Sequence, residues 1–323
     1  MVIGGDGSFL QGIPHDGGTN VGVTLSIFIS HVDAIVGDDA AALIDLAVAL
    51  EDAGADQLVL SEHVVLAGEI EAHGPGGAAF PFPPDHHYPE PLVALAVIAG
   101  ATTRIGLATG ILIAPLRPAV VLAKAAATLD VLSHGRFQLG VGAGWHAAEL
   151  LAAGVDPMHA TRTLEDTIGA CRALWAGGPS SFDSPTVRFR DLYCRPTPLQ
   201  GAALPVWLAG PPKATTFRRI ARLGDGWLPF SNVSIDDVAR SREMLDHAAG
   251  EVGRTAKPLG IRASVPLTGD TTTERIERAV ASAGLLIEAG ATAIQLPMAR
   301  LADDIESAHT VVRELTQAIH ALA

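Results

Sequence analysis

The sequence predicts an α/β chain folded as a (β/α)8 TIM barrel with insertions on the C-terminal face. Three observations carry that prediction. Strand-like and helix-like segments alternate eight times along 323 residues, which is the complement of one closed barrel. The stretch Thr102 to Trp145 reads as strand, proline-started helix, strand, with glycines at both strand ends; a helix between two apolar runs makes those strands parallel neighbours. A weak internal echo, Asp52-Ala-Gly-Ala-Asp-Gln-Leu-Val-Leu60 against Glu288-Ala-Gly-Ala-Thr-Ala-Ile-Gln-Leu296, repeats a helix end, a Gly-Ala turn and a strand. A doubly wound open sheet is the competing architecture.

The elements follow in order. Strand one spans Val21 to Phe28, and helix one runs from about Asp38 to Ala53 with Leu43, Leu46, Ala47 and Leu50 on one face. Gly54 stops it. Strand two, Gln57 to Leu60, enters a long loop from Ser61 to Glu90 rich in Gly, Pro and His. Helix two is Pro91 to Ala101, strand three Ile105 to Ile113, and helix three starts at Pro118 and closes at Ser133-His-Gly135. Strand four is Phe137 to Val141, helix four about Thr161 to Trp175, and a proline-rich excursion from Gly177 to Pro205 follows. Strand five is Val206 to Ala209, helix five about Lys213 to Leu223, and strand six Gly226 to Phe230. Ser234 caps helix six, and Thr271 with Glu274 forms a capping box on helix seven after strand seven, Ile261 to Val265. Strand eight is Ala293 to Leu296, and the last helix carries Ile305, Ala308, Val312, Leu315 and Ile319 at helical spacing. The long segments after strands two and four wall a site on the C-terminal face. The loop Ser61 to Glu90 and the excursion Gly177 to Pro205 are read as defining its substrate.

Composition narrows the function. Hydrophobic residues are 48% and aromatics only 5%, so small and branched aliphatics fill the helix-on-strand layers. A net charge of −13 argues against nucleic acid or an anionic membrane as partner. No segment reads as a spanning helix, and no basic region precedes an apolar one at the N-terminus. The two cysteines, Cys171 and Cys194, make no disulfide framework and read as inert thiols. A cytoplasmic enzyme is the expectation, with residues 1–20 a flexible glycine-rich extension and residues 21–323 a single barrel domain.

Several residues sit where chemistry happens in such barrels. Ser61-Glu-His63 directly follows strand two; His63 at the mouth reads either as a hydrogen-bonded strand-end histidine or as an acid–base group whose tautomer a carboxylate sets. Gly140-Val-Gly-Ala-Gly144 fails the dinucleotide fingerprint because Trp145 holds its last position. It reads equally as close helix packing or as a bare backbone platform for a ring. Ala209-Gly-Pro-Pro-Lys-Ala-Thr-Thr216 joins strand five to helix five. A helix N-terminus there suits an anion, with Lys213 and Thr215 adding contacts, although two prolines lack N–H groups. Arg218, Arg219 and Arg222 on that helix read as a solvated face or as partners for an acidic tail. His73 and Asp85-His-His87 fit no zinc spacing, so no metal is expected.

These motifs together resemble the luciferase-like monooxygenase superfamily, and within it the branch that uses the deazaflavin coenzyme F420. The likeness runs from Val21 to the C-terminus and is strongest in Ser61-Glu-His-Val-Val65, Tyr88-Pro-Glu-Pro-Leu-Val-Ala94, Ile105 to Trp145, and Val206 to Pro229, including Arg219-Ile-Ala-Arg-Leu-Gly-Asp-Gly-Trp227. The resemblance implies a cofactor ring at the barrel mouth over a strand-three bulge, around Thr109, Gly110 and Ile111, with a non-prolyl cis peptide at Gly110–Ile111. It implies further that Gly142, Ala143, Gly144 and Trp145 flank the cofactor, and that Ala209, Gly210, Lys213 and Thr215 hold its phosphate. His63 takes the place of a histidine that reaches the ring, and Glu62 that of an acidic neighbour tuning it. Relatives acting on sugar phosphates carry a glutamate acid where this chain has Trp145, so that role does not transfer.

What the resemblance implies for function is hydride transfer between coenzyme F420 and a small organic substrate. Two alternatives stand: an FMN-dependent two-component monooxygenase, and a non-catalytic barrel that binds a flavin-type ligand. A homodimer is a further expectation, since relatives often pair through barrel helices.

Overall fold

Helix starts are written clearly in this chain, and the barrel is built between them. The computed structural model describes residues 22–37, 39–70, 80, 82–230, 233–254 and 258–322; the expected 1–20 extension and His73 lie outside the described residues. In chain order the strands are β1 (Thr24–Phe28), β2 (Gln57–Leu60), β3 (Gly106–Thr109), β4 (Leu112–Ile113), β5 (Phe137–Gly142), β6 (Ser180–Asp183), β7 (Arg188–Leu192), β8 (Val206–Ala209), β9 (Gly226–Leu228), β10 (Gly260–Ser264) and β11 (Ala293–Pro297). The helices are α1 (Asp33–Val36), α2 (Ala40–Asp52), α3 (Pro91–Ala101), α4 (Ala119–Leu132), α5 (Ala147–Ala152), α6 (Ala160–Trp175), α7 (Ala214–Leu223), α8 (Ile235–Glu251), α9 (Thr272–Glu288) and α10 (Ile305–His320).

The sheet runs β3-β2-β1-β11-β10-β9-β8-β5-β4, and a further β3–β5 pairing closes it. All these pairings are parallel. The result is a closed barrel of eight parallel strands, with β3 and β4 acting as one interrupted strand, and alternating helices outside. An open doubly wound sheet is thereby excluded. Glu90 caps α3 through its carboxylate and Pro91 occupies the first turn. Capping boxes start α8, α9 and α10. One apolar cluster runs through the strand–helix layer, with Leu46, Leu50, Leu58, Leu95 and Ile98 fully enclosed. Among the described residues no helix is long and apolar enough to cross a membrane.

One feature bears out the resemblance and two depart from the sequence reading. The third strand breaks at the cis peptide Gly110–Ile111, as the resemblance implies, into β3 and β4. A short helix, α5, occupies the segment after β5. The excursion Gly177 to Pro205 contains an antiparallel hairpin, β6–β7, and does not wall the C-terminal face. The chain leaving α6 has already returned to the N-terminal rim, because barrel helices run against the strands. There Gln200 donates from Nε2 to the Phe137 carbonyl at the start of β5 and to Asp130 Oδ1.

Polar residues lie inside the barrel. Near its N-terminal end the Trp207 ring fills space that only glycine leaves open, since a Cβ at Gly226 or Gly260 would overlap it. Above Trp207 sits the Arg262 guanidinium, 5.0 Å from the ring centroid. Ser26 donates to Gln57 Oε1 at 3.1 Å, and Gln57 Oε1 also accepts from Arg262 Nη2 at 2.7 Å.

Candidate active site

The C-terminal ends of the strands enclose a cavity of ≈ 380 Å³, within the range of small-molecule sites. One wall is the β3–β4 break. A Cβ on Gly110 would overlap Val59, so only glycine fits there. Ile111 lies against the backbone of Gly142, where a Cβ would stand 2.9 Å from Ile111 Cδ1. Gly144 adopts φ 82°, a left-handed conformation that suits glycine, and leads into Trp145. Ala143, Trp145, Ala209 and Gly210 line the same cavity. The Trp227 indole donates to the Gly210 carbonyl at 2.8 Å and fixes that corner.

Thr109, Lys213 and Thr215 are placed differently. Thr109 is buried, donates from Oγ1 to the Gly140 carbonyl at 2.7 Å and accepts from the Gly140 N–H at 2.9 Å; it staples β3 to β5 behind the cavity wall. Lys213 is the N-cap residue of α7, and both it and Thr215 are exposed outside the cavity lining. No side chain caps α7.

His63 faces the cavity, but Glu62 is not its partner. Successive residues of an extended segment point to opposite sides, so Glu62 turns away from His63. Its Oε2 accepts from the Ile113 N–H at 2.8 Å and from Arg117 Nη1 at 2.9 Å, while Oε1 meets Arg117 Nη2. Burial works against the Arg117 charge, and Glu62 followed by Glu90 outweighs it, raising the guanidinium pKa. This bidentate pair fixes the loop to β4. His63 Nδ1 instead lies 2.9 Å from Glu149 Oε2 on α5. Glu149 Oε1 accepts from the Val64 N–H at 2.6 Å, and His146 Nε2 accepts from the Ala67 N–H at 3.1 Å. The short helix thus clamps the segment carrying His63 and leaves Nε2 as the ring nitrogen not engaged by Glu149.

An aromatic wall covers this pair. The His63 ring meets Tyr88 at 5.1 Å, Phe80 at 5.4 Å and Trp145 at 5.8 Å, all edge-on. His31 stacks on Phe82 at 3.6 Å between ring centroids. Burial, then the neighbouring His86 and His63, lowers the His31 pKa to about 3, so its ring is neutral at pH 7. Burial, followed by Glu149 and Asp33, raises the Tyr88 hydroxyl.

Of the helix-five arginines only Arg219 lines the cavity, with its Nε 2.7 Å from Glu165 Oε1. Arg222 shares Glu165, and Arg218 pairs with Glu251. Both thiols are buried, and burial pushes Cys171 up to about 12. Among the described residues no group of three His, Cys, Asp or Glu side chains is placed to hold a metal ion.

Sequence reasoning missed Glu149, Arg117, His31 and Arg262. Glu149 had a usable signal, being a carboxylate just beyond a strand end on the rim where catalytic groups gather. Arg262 had another, an arginine inside the apolar strand Ile261 to Val265.

The residues fit a tricyclic cofactor on three counts. The bare backbone at Gly110, Gly142 and Gly144 leaves a flat wall, the rings of Phe80, Tyr88 and Trp145 form an aromatic wall, and Arg262 Nε and Nη1 are buried without partners at the floor. A closed parallel barrel whose strand ends enclose a cavity at the C-terminal face is the architecture of (β/α)8 barrel proteins, which carry their sites at that face. The luciferase-like monooxygenase family matches residues 19–321, and the chain belongs to it. An uncharacterised protein of Mycobacterium tuberculosis is 32% identical over 206 residues, covering 63% of this chain and 73% of that relative. An F420-dependent secondary alcohol dehydrogenase, solved with an F420–acetone adduct, superposes with a TM-score of 0.71 at 13% identity, over 92% of this chain and 99% of its own. The oxygenating constituent of 3,6-diketocamphane monooxygenase from Pseudomonas putida, solved with FMN, gives 0.69 at 15% identity, over 93% and 98%.

Proposed function

We propose that the protein is a coenzyme F420-dependent oxidoreductase acting on a small alcohol or carbonyl substrate. The observation that carries this reading is the His63–Glu149 pair facing a cavity with a glycine-built wall. Bound there, a deazaflavin supplies or accepts a hydride and resists oxygen chemistry. The chain's own residues do the rest. Glu149 holds His63 through Nδ1 and fixes its orientation. His63 moves a proton at Nε2 to or from the substrate oxygen. Gly110, Ile111, Gly142 and Gly144 seat the ring face, and Trp145, Phe80, Phe82 and Tyr88 keep water from the reacting atoms. The exposed Lys213 beside the uncapped start of α7 suits an acidic tail outside the cavity. The F420-dependent alcohol dehydrogenase with the same fold supports this choice.

A second reading is an FMN-dependent two-component monooxygenase. The same glycine wall accepts either tricycle, and the aromatic wall also suits oxygen chemistry that must exclude water. The decisive experiment for the first reading uses the F420-loaded protein with a panel of secondary alcohols and ketones. His63→Ala is expected to lower turnover about a hundredfold or more, with cofactor affinity changed only a few-fold. Unchanged turnover in that variant discards the assignment.

A further inference from the structure

The cavity floor holds a charge that the reading above does not use. Arg262 lies at the middle of β10, and strand alternation places Arg262 and Ser264 both on the cavity side. Trp207 supports the guanidinium from below and Gln57 holds Nη2 from the side. Nε and Nη1 have no partner although both are buried. Nη1 lies 3.8 Å from the point a Cβ would occupy on Gly110, so it sits under the break in the third strand. The other charges around the cavity are matched: Arg219 by Glu165, Glu62 by Arg117, and Glu149 by His63 and backbone N–H groups. Arg262 alone among the described cavity residues is a charged group with open donors and no counter-charge. Desolvation lowers its pKa to about 10, which leaves it positive at pH 7. An unpaired buried cation is costly, and two open donors ask for an acceptor.

We propose that Arg262 is a cofactor-tuning residue whose two open guanidinium nitrogens hold the negative charge a tricyclic ring gains on reduction. The proposal rests on the cofactor reading above. A hydride brings two electrons and one proton, so the ring gains one unit of negative charge. A fixed cation in a low-dielectric cavity stabilises that charge more than water would. The reduced ring then ionises at lower pH than it does free in solution, and the oxidised–reduced equilibrium moves toward the reduced form.

The test uses the full-length protein reconstituted anaerobically with coenzyme F420 and, separately, with FMN. Absorbance titration of the bound reduced cofactor against pH reads its ionisation, and equilibration with a redox dye reads the oxidised–reduced balance. In the wild-type protein the reduced ring is expected to bind its proton at least tenfold more weakly than the free cofactor. In Arg262→Gln that shift disappears and the equilibrium moves at least tenfold toward the oxidised form, ~30 mV for a two-electron couple. Arg262→Lys keeps the charge and is expected to recover most of the effect. Failure of the wild-type protein to bind either cofactor overturns the cofactor reading and this proposal with it. Binding without any ionisation shift in the wild type overturns the role of Arg262 alone, and that arm needs no variant to fold. A folded Arg262→Gln protein that matches the wild type, or an Arg262→Lys protein no better than Arg262→Gln, also overturns it.

Discussion

Two buried glutamates near one histidine divide the labour at the residue scale. Glu149 touches His63, whereas Glu62 touches Arg117 and the Ile113 N–H. Replacing each by glutamine separates the roles. Glu149→Gln is expected to lower turnover about tenfold or more, because the amide cannot hold His63 Nδ1 as an anion does, with little change in cofactor affinity. Glu62→Gln leaves the Arg117 guanidinium short of its bidentate partner and is expected to cost about 3 kcal/mol of stability, read as a fall in denaturant midpoint. The opposite pattern, with Glu62 governing turnover and Glu149 only stability, contradicts this assignment. His63 was visible in the sequence because of where it stands, immediately after β2. Glu149 also stands just beyond a strand end, but nothing local says that a residue 86 positions away folds back onto His63.

At the scale of elements, the opposite end of the barrel is held by a carboxylate. Glu51 at the end of α2 accepts from the backbone N–H groups of Thr103, Arg104 and Ile105 and so fixes the turn that feeds β3. Burial alone would raise its carboxyl, but the bonds from Ile105, Arg104 and Thr103 prevail and hold it below the ordinary range. Glu51→Ala is expected to cost about 2–3 kcal/mol, seen as a lower midpoint of thermal unfolding; an unchanged midpoint contradicts it. Sequence reading succeeded where one element announces itself. The start of α3 at Pro91, the cap at Ser234 and the capping box at Thr271 are local signals. It failed where the determinant is tertiary. The break at Gly110–Ile111 cannot be read from the apolar run Ile105 to Ile113, although the resemblance to relatives pointed to it. The α5 helix has only six residues, too few for a periodic pattern. The β6–β7 hairpin lies in a stretch read only as a proline-rich excursion, and its packing on α6, with Thr186 on Asp166 and Phe182 over Gly169, is a tertiary contact that no local pattern announces.

For the whole molecule, the barrel ties its acid stability to its mouth. His31 sits in a left-handed conformation at φ 65°, packed among Phe82, His86 and Tyr88 with Asp33 behind His86. Its pKa falls from 6.5 unfolded to about 3 folded. Between those values the unfolded chain binds the extra proton, so stability rises with pH across that window and is lost as pH falls below about 6.5. Glu51 and Asp166, both lowered, add to the loss at the acid end as they protonate. Denaturant midpoints are therefore expected to be lower at pH 5 than at pH 7.5, and His31→Asn, which tolerates the left-handed backbone, is expected to flatten that difference. A midpoint equal or higher at pH 5 contradicts the burial of a neutral His31.

In the function proposed above, the cavity between the third-strand break and α7 seats a deazaflavin. The most direct measurement is equilibrium titration of the apo-protein with coenzyme F420 and with FMN under identical conditions. Saturable F420 binding at least tenfold tighter than FMN binding is expected. Tighter binding of FMN, or no binding of either ring, contradicts it.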